Sequence, residues 1–252
     1  MSRGSRRFVD YDRVASRYRD GRSLPTDVLD RWSTAVAPYL PPRPIRVVDV
    51  GAGTGVFAEA WPEWATARVV AIEPSMAMVQ AGGVSHPAVS FVQAVAERLP
   101  LRDASTDLIW LSTSLHHFAD VHRSAAEFAR VLKQGGLVLV RTYAPGRTEV
   151  TWANQFPGRS KWEARFHTEE ELRSIFGAHG FALRDVREVL EWSETYGVSA
   201  RWAEQMRHAD SMLTALSDDE VAEGLAALRA KPDAVGRLEL TLFVFVSQAS
   251  PT

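Results

Sequence analysis

The segment between Val47 and Pro74 constrains the fold of this chain most, because it predicts a strand, a glycine turn, a helix and a second strand in immediate succession. An apolar run leads into a turn with three alternating glycines, Gly51, Gly53 and Gly55. A second apolar run then ends at Glu73. Glycines let the backbone turn tightly and approach a ligand closely, and a carboxylate at the second strand's tip can hold the two hydroxyls of a ribose. The segment therefore predicts a site for a nucleoside-bearing cofactor.

Alternating strand and helix patterns over residues 45–190 indicate an α/β fold, with a doubly wound, mostly parallel sheet and helices on both faces. Seven strands are predicted, at Val47–Val50, Val69–Ile72, Val89–Val92, Thr106–Leu111, Leu137–Val140, Phe181–Leu190 and Leu238–Val246. Predicted helices run over about Thr54–Trp64, from the Ser75 cap to Ala81, over Val121–Leu132 up to the glycines of Gln134-Gly135-Gly136, and from the Thr168–Glu171 capping box to Gly180.

A single domain over residues 1–252 is expected, because the length suits one α/β domain with insertions. Residues 1–40 read as a helical cap that precedes the first strand. Residues 145–165 and 193–232 interrupt the alternation, and we expect these two insertions to form a lid over the carboxyl ends of the strands.

Composition excludes several classes of function. The absence of cysteine excludes disulfides and thiolate chemistry, and the acids and histidines show no metal-ligand spacing. The formal net charge of −2 gives no reason to expect nucleic acid or an anionic membrane as a partner. No apolar stretch is long enough to span a bilayer, and the basic N-terminus lacks a secretory core, so a cytoplasmic location is expected.

The glycine spacing identifies the kind of nucleoside. In Gly51-Ala52-Gly53-Thr54-Gly55 the third glycine comes one residue earlier than in the dinucleotide fingerprint, whose purpose is to bind a pyrophosphate. Asp49, just before the turn, would repel a pyrophosphate but would attract an ammonium group. Asp49 and Glu73 around this turn therefore favour an amino-acid nucleoside, S-adenosylmethionine. Asp49 could instead hold only the turn amides.

Here the sequence resembles the class I S-adenosylmethionine-dependent methyltransferases that act on small molecules, over nearly the whole chain. The matching stretches are Asp49–Gly55, Ile72–Met76, Ala96–Pro100, Thr106–Ile109 continuing to Leu115–Phe118, and Arg130–Gly136. The resemblance implies a Rossmann-like, seven-stranded sheet whose last strand is antiparallel. It also implies cofactor contacts from Tyr11, Tyr18, Arg22, Asp49, Gly51, Ala52, Gly53, Gly55, Glu73, Pro74, Met76, Ala96, Glu97 and Ser112. Val95 replaces the acid that reads the adenine edge in many relatives, so Glu97 or the backbone at Ala96 is expected to read it here.

The expected reaction is methyl transfer to an oxygen, nitrogen or carbon of a small molecule, with S-adenosylhomocysteine as the product. His116 and His117 are the candidate general bases, because they titrate near neutral pH; alternatively, one packs on the cofactor and the other caps the next helix. Aromatic residues in the two insertions either pack the lid or line a pocket for a hydrophobic or aromatic acceptor, an intermediate of specialised metabolism. Two alternatives stay open: an enzyme that holds the cofactor for other chemistry, and a non-catalytic cofactor-binding subunit.

Overall fold

A seven-stranded sheet with helices on both faces forms the framework of the computed structural model, which describes residues 24–82, 86–208 and 210–248. The strands are β1 (Ile45–Val50), β2 (Ala67–Ile72), β3 (Val89–Val92), β4 (Thr106–Ser112), β5 (Leu132–Thr142), β6 (Phe181–Thr195) and β7 (Val235–Ser247). The α-helices are α1 (Thr26–Val36), α2 (Val56–Trp64), α3 (Met76–Gly82), α4 (Val121–Val131), α5 (Arg159–Glu163), α6 (Glu169–Gly177), α7 (Tyr196–Gln205) and α8 (Asp218–Ala230). Short 3₁₀ turns lie at Ala37–Tyr39, Leu115–His117, Trp152–Gln155 and Leu213–Ala215.

The strand order places a ligand crevice beside β1. The order is β3-β2-β1-β4-β5-β7-β6, in which β1 pairs in parallel with both β2 and β4, whereas β7 is antiparallel to β5 and β6. From β1 the chain continues to β2 and β3 on one side of the sheet and then crosses to β4 and β5 on the other side. The switch point therefore lies between β1 and β4 at their carboxyl ends. The predicted doubly wound, mostly parallel, Rossmann-like sheet with an antiparallel last strand is confirmed.

The central strands are apolar on both sides because helices cover both faces of the sheet. On β1, Val47 packs into one buried apolar layer, whereas Val48 and Val50 pack into the other. Asp49 interrupts this apolar run on the same face as Val47. A carboxylate is thus carried to the carboxyl end of the strand inside the core.

The connection from α4 to β5 differs from the expectation. The helix ends at Val131, and the next residue, Leu132, is already extended, with φ −74° and ψ 142°. Leu132 pairs with Thr106 of β4, so the strand starts before the glycines that were expected to stop the helix. Gly135, at φ +73°, lies within β5 instead of capping α4. Pairing with a neighbouring strand thus takes precedence over the local glycine signal.

Strands β6 and β7 are longer than expected. They pair from Phe181↔Ser247 to Thr195↔Val235, with register shifts at Leu183/Asp185 and Leu190/Trp192. Residues 193–195, assigned to an insertion from the sequence, therefore belong to β6. The two antiparallel strands hydrogen-bond to each other along their whole length, so the polar residues at their ends also adopt strand conformation.

The two insertions pack on each other above the sheet. Trp152, in the first, meets Trp202 of α7 edge to face, with ring centroids 5.2 Å apart.

The capping box of Thr168 and Glu171 starts α6 as expected, and Ser217 caps α8 in the same way. Within the described ranges, every helix is too short or too polar to cross a bilayer.

Candidate active site

The glycine turn brings β1 to the end of β2. The backbone N–H groups of Gly51 and Ala52 both donate to the carbonyl of Ile72, at 2.8 and 3.0 Å. Gly51 has φ +74°, and a Cβ there would lie 2.5 Å from the Cβ of Ser114. A side chain at this position would therefore both strain the backbone and displace the loop after β4. Glycine at this position therefore permits the close approach of the turn to the loop after β4.

Glu73 is fixed at the tip of β2 by two backbone amides. Its Oε2 accepts from the N–H of Gly53 and its Oε1 from the N–H of Ser75, each at 2.9 Å. A carboxylate oxygen can accept more than one hydrogen bond, so these contacts orient Glu73 and leave it able to bind a hydroxyl. The second strand and the glycine turn are thereby tied into one unit.

Asp49 lies in the core below that unit, with only 1% of its surface exposed. Burial, and secondly the charge of Glu73, raises the pKa of Asp49 from 3.8 to about 8. Its Oδ1 is buried and accepts no hydrogen bond from any residue that the structure describes. Such a group favours a cationic partner, because a nearby positive charge would offset the desolvation of the carboxylate.

A cavity of about 270 Å³ opens over the turn. Seven of the expected cofactor contacts line it, namely Gly51, Gly53, Glu73, Pro74, Ala96, Glu97 and Ser112. Four others, Asp49, Ala52, Gly55 and Met76, do not line it. Met78 of α3 lines the cavity where Met76 was expected, because Met76 is exposed on the outer side of the helix. Tyr11, Tyr18 and Arg22 lie outside the described residues.

The carboxylate of Glu97 supports the loop that precedes α4. Its Oε1 accepts from the N–H groups of Ala119 and Asp120, at 2.7 and 3.1 Å. The Asp120 side chain caps α4 by accepting from the N–H of Arg123, so neither candidate histidine performs that role. Glu97 thus joins two segments that both line the cavity.

A second cavity, of about 530 Å³, adjoins the first and is aromatic. The aromatic side chains that line it are Tyr143, Trp152, Trp162, Phe166, Trp192 and Trp202. Trp162 lies 4.8 Å from Tyr143 and 4.6 Å from Phe166 between ring centroids, so these rings form a continuous wall. The aromatic residues of the insertions therefore both pack the insertions and line a pocket.

Two residues, Thr113 and His117, line both cavities. Thr113 has φ +49°, an uncommon conformation for a non-glycine residue that often marks functional loops. His116 lines only the larger cavity, where its ring lies between those of His117 and Phe166, 3.9 and 4.2 Å away. The turn Leu115–His117 thus brings one histidine to the junction and places the other in the aromatic wall.

A buried charged network at the junction was not expected from the sequence. Arg141 of β5 donates from Nε to Oε1 of Glu191 at 2.8 Å, with a further bond from Nη2, and from Nη1 to the Ser112 hydroxyl at 2.9 Å. The indole N–H of Trp32 donates to the same Oε1 at 2.7 Å. One signal was available: Arg141 ends the otherwise apolar run Leu137–Val140. Its partner lies fifty residues further along the chain.

No group of three or more histidines, acids or cysteines that could hold a metal ion occurs among the described residues.

Known proteins match the region that builds the cofactor side of this crevice. Residues 48–140 match the family model described as a methyltransferase domain. The methyltransferase YcgJ of Bacillus subtilis (strain 168) is 35% identical over 156 residues, which cover 56% of this chain and 59% of that protein. Residues 48–140 are thus similar to a methyltransferase domain.

Two further known proteins are similar to this chain. The demethylmenaquinone methyltransferase of Renibacterium salmoninarum is 33% identical over 152 residues, which cover 56% of this chain and 62% of that protein. The chain thus spans less than two thirds of the length of both curated relatives. The crystal structure of a putative methyltransferase from an antibiotic biosynthesis pathway of Anabaena variabilis has a TM-score of 0.68 at 22% identity, over 86% of this chain and 97% of that one. This likeness shows a shared fold.

Proposed function

We propose that the protein transfers a methyl group from S-adenosylmethionine to a small hydrophobic or aromatic molecule. The observation that carries the proposal is the pair of adjoining cavities that share Thr113 and His117. One is built on the glycine turn and Glu73, and the other is walled by tryptophans. In this arrangement the 270 Å³ cavity holds the donor, the 530 Å³ cavity holds the acceptor, and the methyl group passes between them.

The residues of the smaller cavity fit the cofactor. Glu73 accepts from the ribose hydroxyls, and the glycine turn, which lines the cavity through Gly51 and Gly53, receives the methionine part. Asp49 lies below the turn and outside the cavity lining, so its carboxylate attracts the α-ammonium group by charge. The backbone at Ala96 reads the adenine edge, because Glu97 already accepts from two loop amides. Tyr11, Tyr18 and Arg22 remain predicted contacts to the methionine carboxylate.

When bound, the cofactor supplies an activated methyl group on a sulfonium. The reaction forms a bond from that carbon to an oxygen, nitrogen or carbon of the acceptor, while the C–S bond breaks and its electron pair stays on sulfur in S-adenosylhomocysteine. The protein contributes alignment and the exclusion of water, for which the two insertions act as a lid. His117, at the junction, receives the proton that the acceptor loses. His116 shapes the aromatic wall.

The acceptor class follows from the walls of the larger cavity. Rings of Trp162, Tyr143 and Phe166 offer flat apolar surface and favour a planar molecule. The curated relative from Renibacterium salmoninarum is a demethylmenaquinone methyltransferase by name, which supports aromatic acceptors of that kind as the first to test. We further propose that the protein acts in the cytoplasm and that its acceptor is an intermediate of specialised metabolism.

The test has two stages. Calorimetric titration with S-adenosylhomocysteine should show saturable binding that NAD does not reproduce. Incubation with S-adenosylmethionine and a panel of phenols, naphthols and aromatic amines should then yield a product heavier by one CH₂, detected by mass spectrometry, with one S-adenosylhomocysteine formed per product. Binding without any methylated product would favour other chemistry or a non-catalytic subunit, and absence of binding would contradict the proposal.

A further inference from the structure

A β-bulge places a carboxylate against the larger cavity. Strands β6 and β7 shift register between Leu190 and Trp192, so Glu191 is the extra residue of β6. Bulges re-aim side chains and are frequent beside active sites. The guanidinium of Arg31 donates to the carbonyls of Leu190 and Glu191, at 3.0 and 3.1 Å, and thereby holds the bulge against α1.

The two oxygens of Glu191 have different environments. Oε1 accepts from the indole of Trp32 and from two nitrogens of Arg141. Oε2 accepts no hydrogen bond from any residue in the described part of the chain. Glu191 nevertheless lines the 530 Å³ cavity, although its side chain is only 3% exposed. The oxygen without a donor is therefore the one that a molecule in the cavity can reach.

A purely structural role explains this arrangement poorly. Burying an ionised group destabilises a protein unless its hydrogen bonds are satisfied. Replacing a buried ion pair with apolar residues of similar volume is therefore often neutral or stabilising. Here the Arg141–Glu191 pair borders a cavity and leaves one carboxylate oxygen without a protein donor. That oxygen would regain a hydrogen bond when a ligand donates one.

The network also links Glu191 to a residue that lines the smaller cavity. Arg141 bonds the Ser112 hydroxyl at 2.9 Å from Nη1, while its Nε bonds Glu191 at 2.8 Å. Ser112 lines the smaller cavity. A single guanidinium group therefore separates the donor cavity from Glu191, and a group bound to Oε2 would lie near the junction.

Resting on the proposed methyl transfer, we propose that Glu191 selects acceptors that carry a hydroxyl or N–H donor on an aromatic ring. The Arg141 charge offsets that of Glu191, so the site recognises a neutral donor more than a cation. Trp32 and Arg141 are positioning residues that hold the carboxylate in place. The aromatic wall binds the ring, and Glu191 sets which edge of the ring faces the junction.

The experiment compares 1-naphthol with 1-methoxynaphthalene, which has the same ring system but no donor. Binding of each to the protein saturated with S-adenosylhomocysteine is measured by calorimetry. The wild-type protein should bind 1-naphthol about tenfold more tightly, since a hydrogen bond to a charged group strengthens binding by at least that factor. Glu191→Gln should remove most of this preference while leaving the affinity for 1-methoxynaphthalene unchanged. Equal binding of the two compounds to the wild-type protein, or binding of neither, would overturn the inference.

Two further variants separate recognition from folding. Glu188→Gln, on the same strand but paired with Arg147 outside the cavity, should keep the full preference. Glu191→Asp keeps a countercharge for Arg141 but shortens the side chain, so it should fold normally and still lose the preference. A Glu191→Asp protein that retains the preference would contradict the inference. If the wild-type protein does not bind S-adenosylhomocysteine, that result would instead contradict the proposed function itself.

Discussion

The Glu73 carboxylate accepts a hydrogen bond of 2.9 Å from the N–H of Gly53, which joins the tip of β2 to the glycine turn that follows β1. The other oxygen accepts from Ser75 at the start of α3. One side chain thus holds three backbone segments around the smaller cavity. The carboxylate is oriented before any ligand arrives, so little side-chain entropy is lost when it binds one.

We therefore expect Glu73→Gln to weaken S-adenosylhomocysteine binding about 10- to 100-fold, as is typical when a charged hydrogen-bond partner is lost. Calorimetric titration measures the change. Glu223→Gln, an exposed position on α8, is the matched control and should bind like the wild type. Affinity that is unaltered in Glu73→Gln would show that the ribose is held elsewhere.

The pKa of Asp49 predicts how stability depends on pH. With a pKa of about 8 in the folded state and 3.8 as the ordinary value, the folded protein binds more protons than the unfolded chain between these values. The free energy of unfolding should therefore fall as pH rises from about 4 to about 8, because ionising the buried carboxylate opposes folding. Asp49→Asn should remove this slope.

Melting temperatures of the wild-type and Asp49→Asn proteins, measured without ligand across that pH range, test the expectation. The variant should melt at least about 3 °C higher at pH 8, which corresponds to about 1 kcal/mol for a chain of this size. At pH 4 the difference should vanish. The same variant should bind S-adenosylmethionine less tightly, since it lacks the charge that attracts the ammonium group. A variant no more stable at pH 8 than the wild type would show that Asp49 is ionised at no cost.

The cofactor side of the site could be predicted because its signals are local. Gly51 and Glu73 lie within one strand–turn–helix–strand unit, and the residue types there are fixed by backbone conformation and by hydrogen bonds between chain neighbours. The start of α6 was likewise marked locally, by the capping box of Thr168 and Glu171. The mostly parallel direction of the strands followed from the alternation of strands and helices, and the antiparallel last strand from the family resemblance.

The acceptor side could not be predicted in the same way. Arg141 and Glu191 are fifty residues apart, and their contact depends on a bulge in β6 that no local pattern marks. The same cause explains the misjudged start of β5, where pairing of Leu132 with Thr106 outweighs the glycine signal at Gly135. Long-range pairing decides these features, and a single sequence does not display it.

Gly51→Ala should destabilise the protein more than Gly146→Ala. Both glycines have positive φ, +74° and +82°, so both substitutions strain the backbone by about 1–2 kcal/mol. A Cβ at Gly146 meets nothing within 4 Å, whereas one at Gly51 would lie 2.5 Å from the Cβ of Ser114. The difference between the variants therefore isolates the close approach of the loop after β4.

Urea unfolding measures the free energy of unfolding of both variants, with the same dependence on urea concentration used for each. We expect Gly51→Ala to lose at least about 1 kcal/mol more than Gly146→Ala, since overpacking at a rigid contact typically has an effect of that size. Gly51→Ala should also reduce S-adenosylhomocysteine binding, and Gly146→Ala should not. Equal losses of stability would mean that the loop moves freely away from the turn.

The junction position of His117 predicts a kinetic signature distinct from that of His116. For an acceptor that loses a proton from oxygen or nitrogen, His117→Asn should lower kcat about 100-fold, the usual contribution of a general base, with S-adenosylhomocysteine affinity unchanged. His116→Ala, which removes a ring from between His117 and Phe166, should mainly raise KM because it opens the aromatic wall. His122→Asn, on α4 and in contact with His179, is the control and should match the wild type in both constants. If His117→Asn leaves kcat and its pH profile intact, the acceptor is already ionised when it binds, and alignment alone accounts for the chemistry.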